Sequence, residues 1–181
     1  MRCKKVEIEL RAMVEKDIED SIVRMGAEKV KDSHQSDEYF KFSLDSERRL
    51  VIRIRRKEGG STYLTFKGSS EDEDDIAWQE WEQEIEDDEV LKKLLLSNGL
   101  ELVVAIDKKR GTYKYEDFEI NVDDIKGLGT FIEVELLSDN VDEGKKKIQD
   151  LLFNQLEIPR ENVINEGYVP LMLKKIAEKD Q

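Results

Sequence analysis

Val6-Glu7-Ile8-Glu9-Leu10-Arg11 alternates apolar and charged residues with a period of two. In a β-strand, residues two apart share a face, so the stretch puts Val6, Ile8 and Leu10 on one side and Glu7, Glu9 and Arg11 on the other. The same pattern recurs along the chain. Leu50, Ile52 and Ile54 oppose Val51, Arg53 and Arg55, and Leu64 and Phe66 oppose Thr65 and Lys67. Glu80, Glu82 and Glu84 alternate with Trp81 and Gln83, and Lys108 and Arg110 flank Lys109. Phe118, Ile120 and Val122 oppose Glu119, Asn121 and Asp123; Ile132, Val134 and Leu136 oppose Phe131, Glu133 and Glu135. Apart from Arg11 beside Glu7 and Glu9, acids and bases are sorted onto different strands.

Around these strands the pattern predicts helices over 15–25, ended by Gly26, over 88–98, ended by Asn98-Gly99, over 141–155 and over 169–178. Strands are expected at Ala27 to Val30 and Asp37 to Leu44, with a hairpin turn at Glu58-Gly59-Gly60-Ser61. Gly68 to Asp75 reads as an acidic loop. About eight strands joined mostly by short connections favour an antiparallel sheet, since parallel neighbours need long crossovers.

A sheet with one solvated face also alternates, but it mixes the signs of its charges and uses Thr, Ser and Gln freely. Blocks of one sign favour a closed eight-stranded barrel with a charged interior, its apolar faces turned outward under helices: an α+β fold in one domain. Arg11, Arg53, Arg55, Lys67, Lys108 and Arg110 would then face eight acids, Glu7, Glu9, Glu80, Glu82, Glu84, Asp123, Glu133 and Glu135. Buried charges must balance one another, an ion or a ligand. Two divalent cations would turn this lining into an attractive field for a triphosphate.

The 181 residues suffice for one sizeable core. A formal net charge of −13 argues against general nucleic-acid binding and against anionic membranes. No apolar run approaches the ~20 residues of a spanning helix. Cys3 is the single cysteine, and Met1-Arg2-Cys3-Lys4-Lys5 leads directly into a charged strand, so the expected compartment is the cytoplasm. His34, the single histidine, reads as a surface residue near a strand end. Trp78, Trp81, Tyr113, Tyr115 and Phe118 read as sheet core. With no Cys/His cluster, zinc is not expected.

These motifs, in this order, resemble the CYTH family, the triphosphate tunnel metalloenzymes. The resemblance runs from Val6 to about Tyr168. It rests on Glu7-x-Glu9-x-Arg11, Arg53-x-Arg55, Leu64-Thr65-Phe66-Lys67-Gly68, Glu80-x-Glu82-x-Glu84, Lys108-Lys109-Arg110 and, most specifically, the segment from Val122 to Glu135. Asp37-Glu38-Tyr39-Phe40 and Gly167 to Leu171 look like further landmarks. Length and spacing look most like the class IV adenylate cyclase branch. Arg11 stands where the family usually has lysine, and Ala77-Trp78-Gln79 stands where many members carry arginine.

The resemblance implies an eight-stranded tunnel that threads a triphosphate past Mg²⁺ or Mn²⁺. By it, Glu7, Glu9, Asp123, Glu133 and Glu135 would hold metal. Arg11, Arg53, Arg55, Lys67, Lys108 and Arg110 would grip phosphate, and Glu80, Glu82 and Glu84 would support them. Arg11, Lys67 and Asp123 would serve the chemistry. The implied reaction is cyclisation of ATP to cAMP and pyrophosphate. The alternatives are hydrolysis of tripolyphosphate, thiamine triphosphate or a nucleotide, and triphosphate binding without turnover. The cyclase branch also implies a homodimer. The implied partner is a small-molecule triphosphate, with no nucleic acid and no membrane.

Overall fold

The computed structural model describes residues 6–15, 17–42, 50–69 and 78–179 and, of Phe42, Ser69, Trp78, Gln79 and Glu80, the backbone alone. The acidic run 71–75 lies outside the described residues. In chain order the elements are β1 (Val6–Val14), α1 (Ile18–Arg24), β2 (Glu28–Phe42), β3 (Leu50–Lys57), β4 (Thr62–Ser69), β5 (Trp78–Ile85) and α2 (Asp88–Ser97). Then follow β6 (Leu100–Tyr115), β7 (Phe118–Ile125), β8 (Gly129–Ser138), α3 (Val141–Asp150), β9 (Val163–Ile164) and α4 (Tyr168–Lys179). The fold is α+β, with four helices and one large sheet ordered β5-β4-β3-β2-β6-β7-β8-β1-β9. The registered ladders β1–β8, β1–β9, β2–β3, β3–β4, β4–β5 and β7–β8 are all antiparallel.

The antiparallel expectation holds; the closed eight-stranded barrel does not follow from these ladders. Among the described residues no ladder joins β5 to the other end of the order, and a ninth strand is present. The two-residue β9 pairs with β1 at Arg11 and Ala12, occupying backbone positions on an edge that closure would use. The two short strands expected around 27–44 are one strand of fifteen residues, β2. His34 therefore lies within a strand, half-exposed, with Nε2 3.0 Å from Asp107 Oδ2.

The chain divides into two compact units, residues 1–33 with 109–167, and 34–108 with 168–181; β2 and β6 each run through both. In the first unit the alternation read from β1 is realised. Ile8 and Ala12 of β1, Ile120 and Val122 of β7, and Ile132, Val134 and Leu136 of β8 form one buried layer. Ile18 and Ile22 of α1, Ile148 of α3, and Leu151 and Leu152 of the π-helical turn 151–155 cover it. Each such buried aliphatic side chain contributes about 1.5–3 kcal/mol. Asn140 caps α3 by accepting from the Glu143 N–H at 3.2 Å. Gly144 lets α3 lie close on the sheet: a Cβ there would overlap Ile8 and stand 3.1 Å from Ser138 Cβ.

In the second unit Phe40, Ile52, Ile54 and Leu100 form a smaller core, with Leu91 and Leu95 of α2 packed on it. Asp87 caps α2 through the Val90 N–H at 3.0 Å. Arg56, on the helix-facing side of β3, ties α2 to the sheet by ion pairs to Asp88 (2.5 Å) and to Glu38 (2.8 Å), which also takes Lys92. Trp81 departs from its expected core role. It is 52% exposed, on the edge strand β5, with its ring tilted against Phe66 at 5.8 Å. Tyr113 and Phe118 are buried as expected.

Candidate functional site

The charged sides of the strands are the second product of the alternation. In the first unit they carry mainly acids. Register sets Glu9 opposite Glu135, Arg11 opposite Glu133 and, on the other flank of β8, Glu119 opposite Glu135 and Asn121 opposite Glu133. Like charges directly opposite one another destabilise a sheet. This row of carboxylates therefore has an electrostatic cost that a cation would offset.

Glu7, Glu9 and Glu135 each bring a carboxylate oxygen within 4.8 Å of the other two. The Glu135 carboxyl is pushed up to about 9, first by burial, then by the charge and hydrogen bond of Glu133 and the charge of Glu7, with Arg110 opposing. Asn121 Nδ2 donates to Glu135 Oε1 at 3.2 Å, and the Thr112 hydroxyl donates to Asn121 Oδ1 at 2.8 Å. These three carboxylates offer hard oxygen donors of the kind a divalent cation takes.

The two other carboxylates expected at a metal are engaged with arginines. Asp123 is fully buried and takes both Arg110 Nε (2.6 Å) and Arg110 Nη2 (2.5 Å). Glu133, 4% exposed, accepts from Arg110 Nη2 at 3.2 Å through one oxygen and from Arg11 Nε through the other. Arg11 Nη2 also donates to Glu9 Oε1 at 3.0 Å.

In the second unit the corresponding sides carry the bases Arg53, Arg55, Lys67 and Lys108 together with the acids Asp37, Glu82 and Glu84. Arg55 forms a two-point fork with Asp37, Nε at 2.7 Å and Nη2 at 2.6 Å. Tyr39 donates to Asp37 Oδ2 at 3.3 Å. Burial alone would raise the Asp37 carboxyl, but the Arg55 hydrogen bonds and charge, aided by Lys108 and Arg53, hold it below the usual range. The Tyr39 hydroxyl is pushed up to about 12 by burial and then by Asp37. Arg53 Nη2 donates to the Thr65 hydroxyl (3.0 Å) and to Glu82 (3.2 Å). Lys67 lies half-buried on the Thr65 side of β4. Lys108 is 2% exposed, its Nζ 5.4 Å from the centre of the Tyr168 ring at the start of α4.

The structure thus gathers Glu7, Glu9 and Glu135, and beside them Arg11, Glu133, Arg110 and Asp123. Separately it gathers Arg53, Arg55, Lys108 and Glu82. Glu84 is exposed beside them on β5, and the side chain of Glu80 lies outside the described residues. Asp37, Asn121 and Tyr168 were not expected as parts of these clusters. Period-two alternation puts Asp37 and Tyr39 on one side of β2, but only the pairing with β3 shows which base Asp37 meets.

Comparison with known proteins gives this arrangement a family. A family model described as the CYTH domain matches residues 5–168. The Putative adenylate cyclase MJ0240 of Methanocaldococcus jannaschii is 30% identical over 173 residues, covering 92% of this chain and 98% of that protein. The solved PH1012 protein of Pyrococcus horikoshii OT3 superposes with a TM-score of 0.81 at 28% identity, over 91% of this chain and 98% of its own. PH1819 of the same organism gives 0.76 at 29% identity, over 93% and 99%. The order of charged strands and the match across nearly the whole chain lead to one conclusion: this chain belongs to the CYTH family.

Proposed function

We propose that this chain is a metal-dependent enzyme acting on a triphosphate-bearing substrate, with cyclisation of ATP to cAMP and pyrophosphate as its reaction. The single observation that carries the reading is the Glu7–Glu9–Glu135 carboxylate cluster in a CYTH chain. The adenylate cyclase name of a relative 30% identical over 92% of this chain supports the choice of reaction.

Glu7, Glu9 and Glu135 would hold the divalent cation, Mg²⁺ or Mn²⁺. When bound, the cation would neutralise phosphate charge and polarise a phosphoryl oxygen. Arg53, Arg55, Lys67 and Lys108 supply donors for phosphate oxygens, the arginines in bidentate fashion. Positioning and charge neutralisation are the main catalytic effects in phosphoryl chemistry, so side chains of this kind suffice without a covalent intermediate. Asp37 and Asp123 keep the Arg55 and Arg110 forks in fixed planes. A closed tunnel and a cytoplasmic site of action belong to this proposal; family membership supports the first. Among the described residues no helix is long and apolar enough to cross a membrane.

The test is product analysis after incubation with Mg²⁺ or Mn²⁺ and either ATP or tripolyphosphate. cAMP with pyrophosphate is expected. Orthophosphate would replace cyclisation by hydrolysis, and tight binding without product would overturn the enzymatic reading.

A further inference from the structure

Glu133 stands in the family-implied metal set, yet its geometry differs from that of Glu135 two residues on. The three carboxylates that converge are Glu7, Glu9 and Glu135. Glu133 instead has each oxygen on a different guanidinium, one on Arg11 and one on Arg110, and it contacts Glu135 by a hydrogen bond. Arg110 is held on its other side by the two-point bond to buried Asp123. Arg11 is held by its register partner Glu133 and by Glu9. Asp123, Arg110, Glu133, Arg11 and Glu9 are therefore a continuous chain of charge-assisted hydrogen bonds across β7, β6, β8 and β1, ending on a carboxylate of the convergent cluster.

We infer that Glu133 is a positioning residue that orients Arg11 and, through it, the carboxylate of Glu9, and that it does not itself ligate the cation. The inference rests on the metal reading of Glu7, Glu9 and Glu135 and assigns the neighbouring residues within it. It also gives Arg11 a role that suits arginine better than lysine. A guanidinium can bond two carboxylates at once from a fixed plane, whereas an ammonium is a point charge on a flexible stem. Residues that orient a ligand typically change metal affinity 10–100-fold when removed, and far less when their hydrogen bonds are preserved.

The experiment measures Mn²⁺ affinity directly, by the electron paramagnetic resonance of free Mn²⁺, on the full chain with no substrate. Glu135→Gln is expected to weaken binding about 100-fold or more. Glu133→Gln, which still offers acceptors to a guanidinium, is expected to stay within about five-fold of wild type, and Glu133→Ala to lose about ten-fold or more. If Glu133→Ala does not fold, Arg11→Ala takes its place, with the same about ten-fold loss expected. Equal losses in Glu133→Gln and Glu135→Gln would make Glu133 a ligand and overturn the inference. Wild-type affinity in Glu133→Ala, or in Arg11→Ala, would overturn it from the other side. Unchanged affinity in Glu9→Gln and Glu135→Gln would instead show that the metal reading beneath it has failed.

Discussion

Arg55 and Asp37 face each other in register on β3 and β2 and close a two-point hydrogen bond, at 2.7 and 2.6 Å, with the carboxylate fully buried. Removing one partner of such a pair leaves an uncompensated buried charge. Asp37→Ala is expected to cost about 3–5 kcal/mol in urea unfolding. A loss under about 1 kcal/mol would show that water reaches Arg55 freely.

The same pair makes stability depend on acid. The folded Asp37 carboxyl lies below its ordinary value of 3.8. Its contribution is therefore present above that value and is lost as pH falls through the folded one. Asp37→Asn is expected to show a shallower fall in unfolding free energy below about pH 4 than wild type. Parallel curves would contradict the assignment.

Glu135 works in the opposite direction. Its folded carboxyl is raised from 4.5 to about 9, so in the metal-free protein its proton-linked contribution is complete below 4.5 and is lost as pH rises through 9. A cation must displace that proton. Mn²⁺ binding near neutral pH is expected to release about one proton, read by calorimetry in buffers of different ionisation enthalpy. Binding heats independent of the buffer would contradict this.

Gly144 has no room for a side chain against Ile8 and Ser138. Gly144→Leu is expected to cost about 1–3 kcal/mol through overpacking, visible as a lower thermal midpoint. An unchanged midpoint would mean that α3 can lift from β1 and β8 without loss.

Most of the strands were legible because each carries a strict period of two, and β1, β7 and β8 bury the apolar sides that the alternation assigns them. What eluded the sequence depends on pairing between distant segments. The fork between Asp37 and Arg55 needs the register of β2 on β3. The split between Glu133, held by two arginines, and Glu135, in the carboxylate cluster, needs Arg11 opposite one and Glu9 opposite the other. The continuity of β2 through His34-Gln35-Ser36 was hidden because polar residues there mimic a turn. The two-residue β9 is too short to carry any period.

In the proposed function the carboxylate cluster on β1 and β8 brings a cation to triphosphate chemistry. The measurement that tests this most directly is turnover of ATP and of tripolyphosphate by wild type and Glu135→Gln, each across a titration of Mn²⁺ from a chelated start. No product is expected without cation; product should rise with Mn²⁺ in wild type and be at least about a hundred-fold less in the variant at equal Mn²⁺, as when a metal-assisted step loses a ligand. Full turnover in chelator, or a variant as active as wild type, would contradict the proposed function.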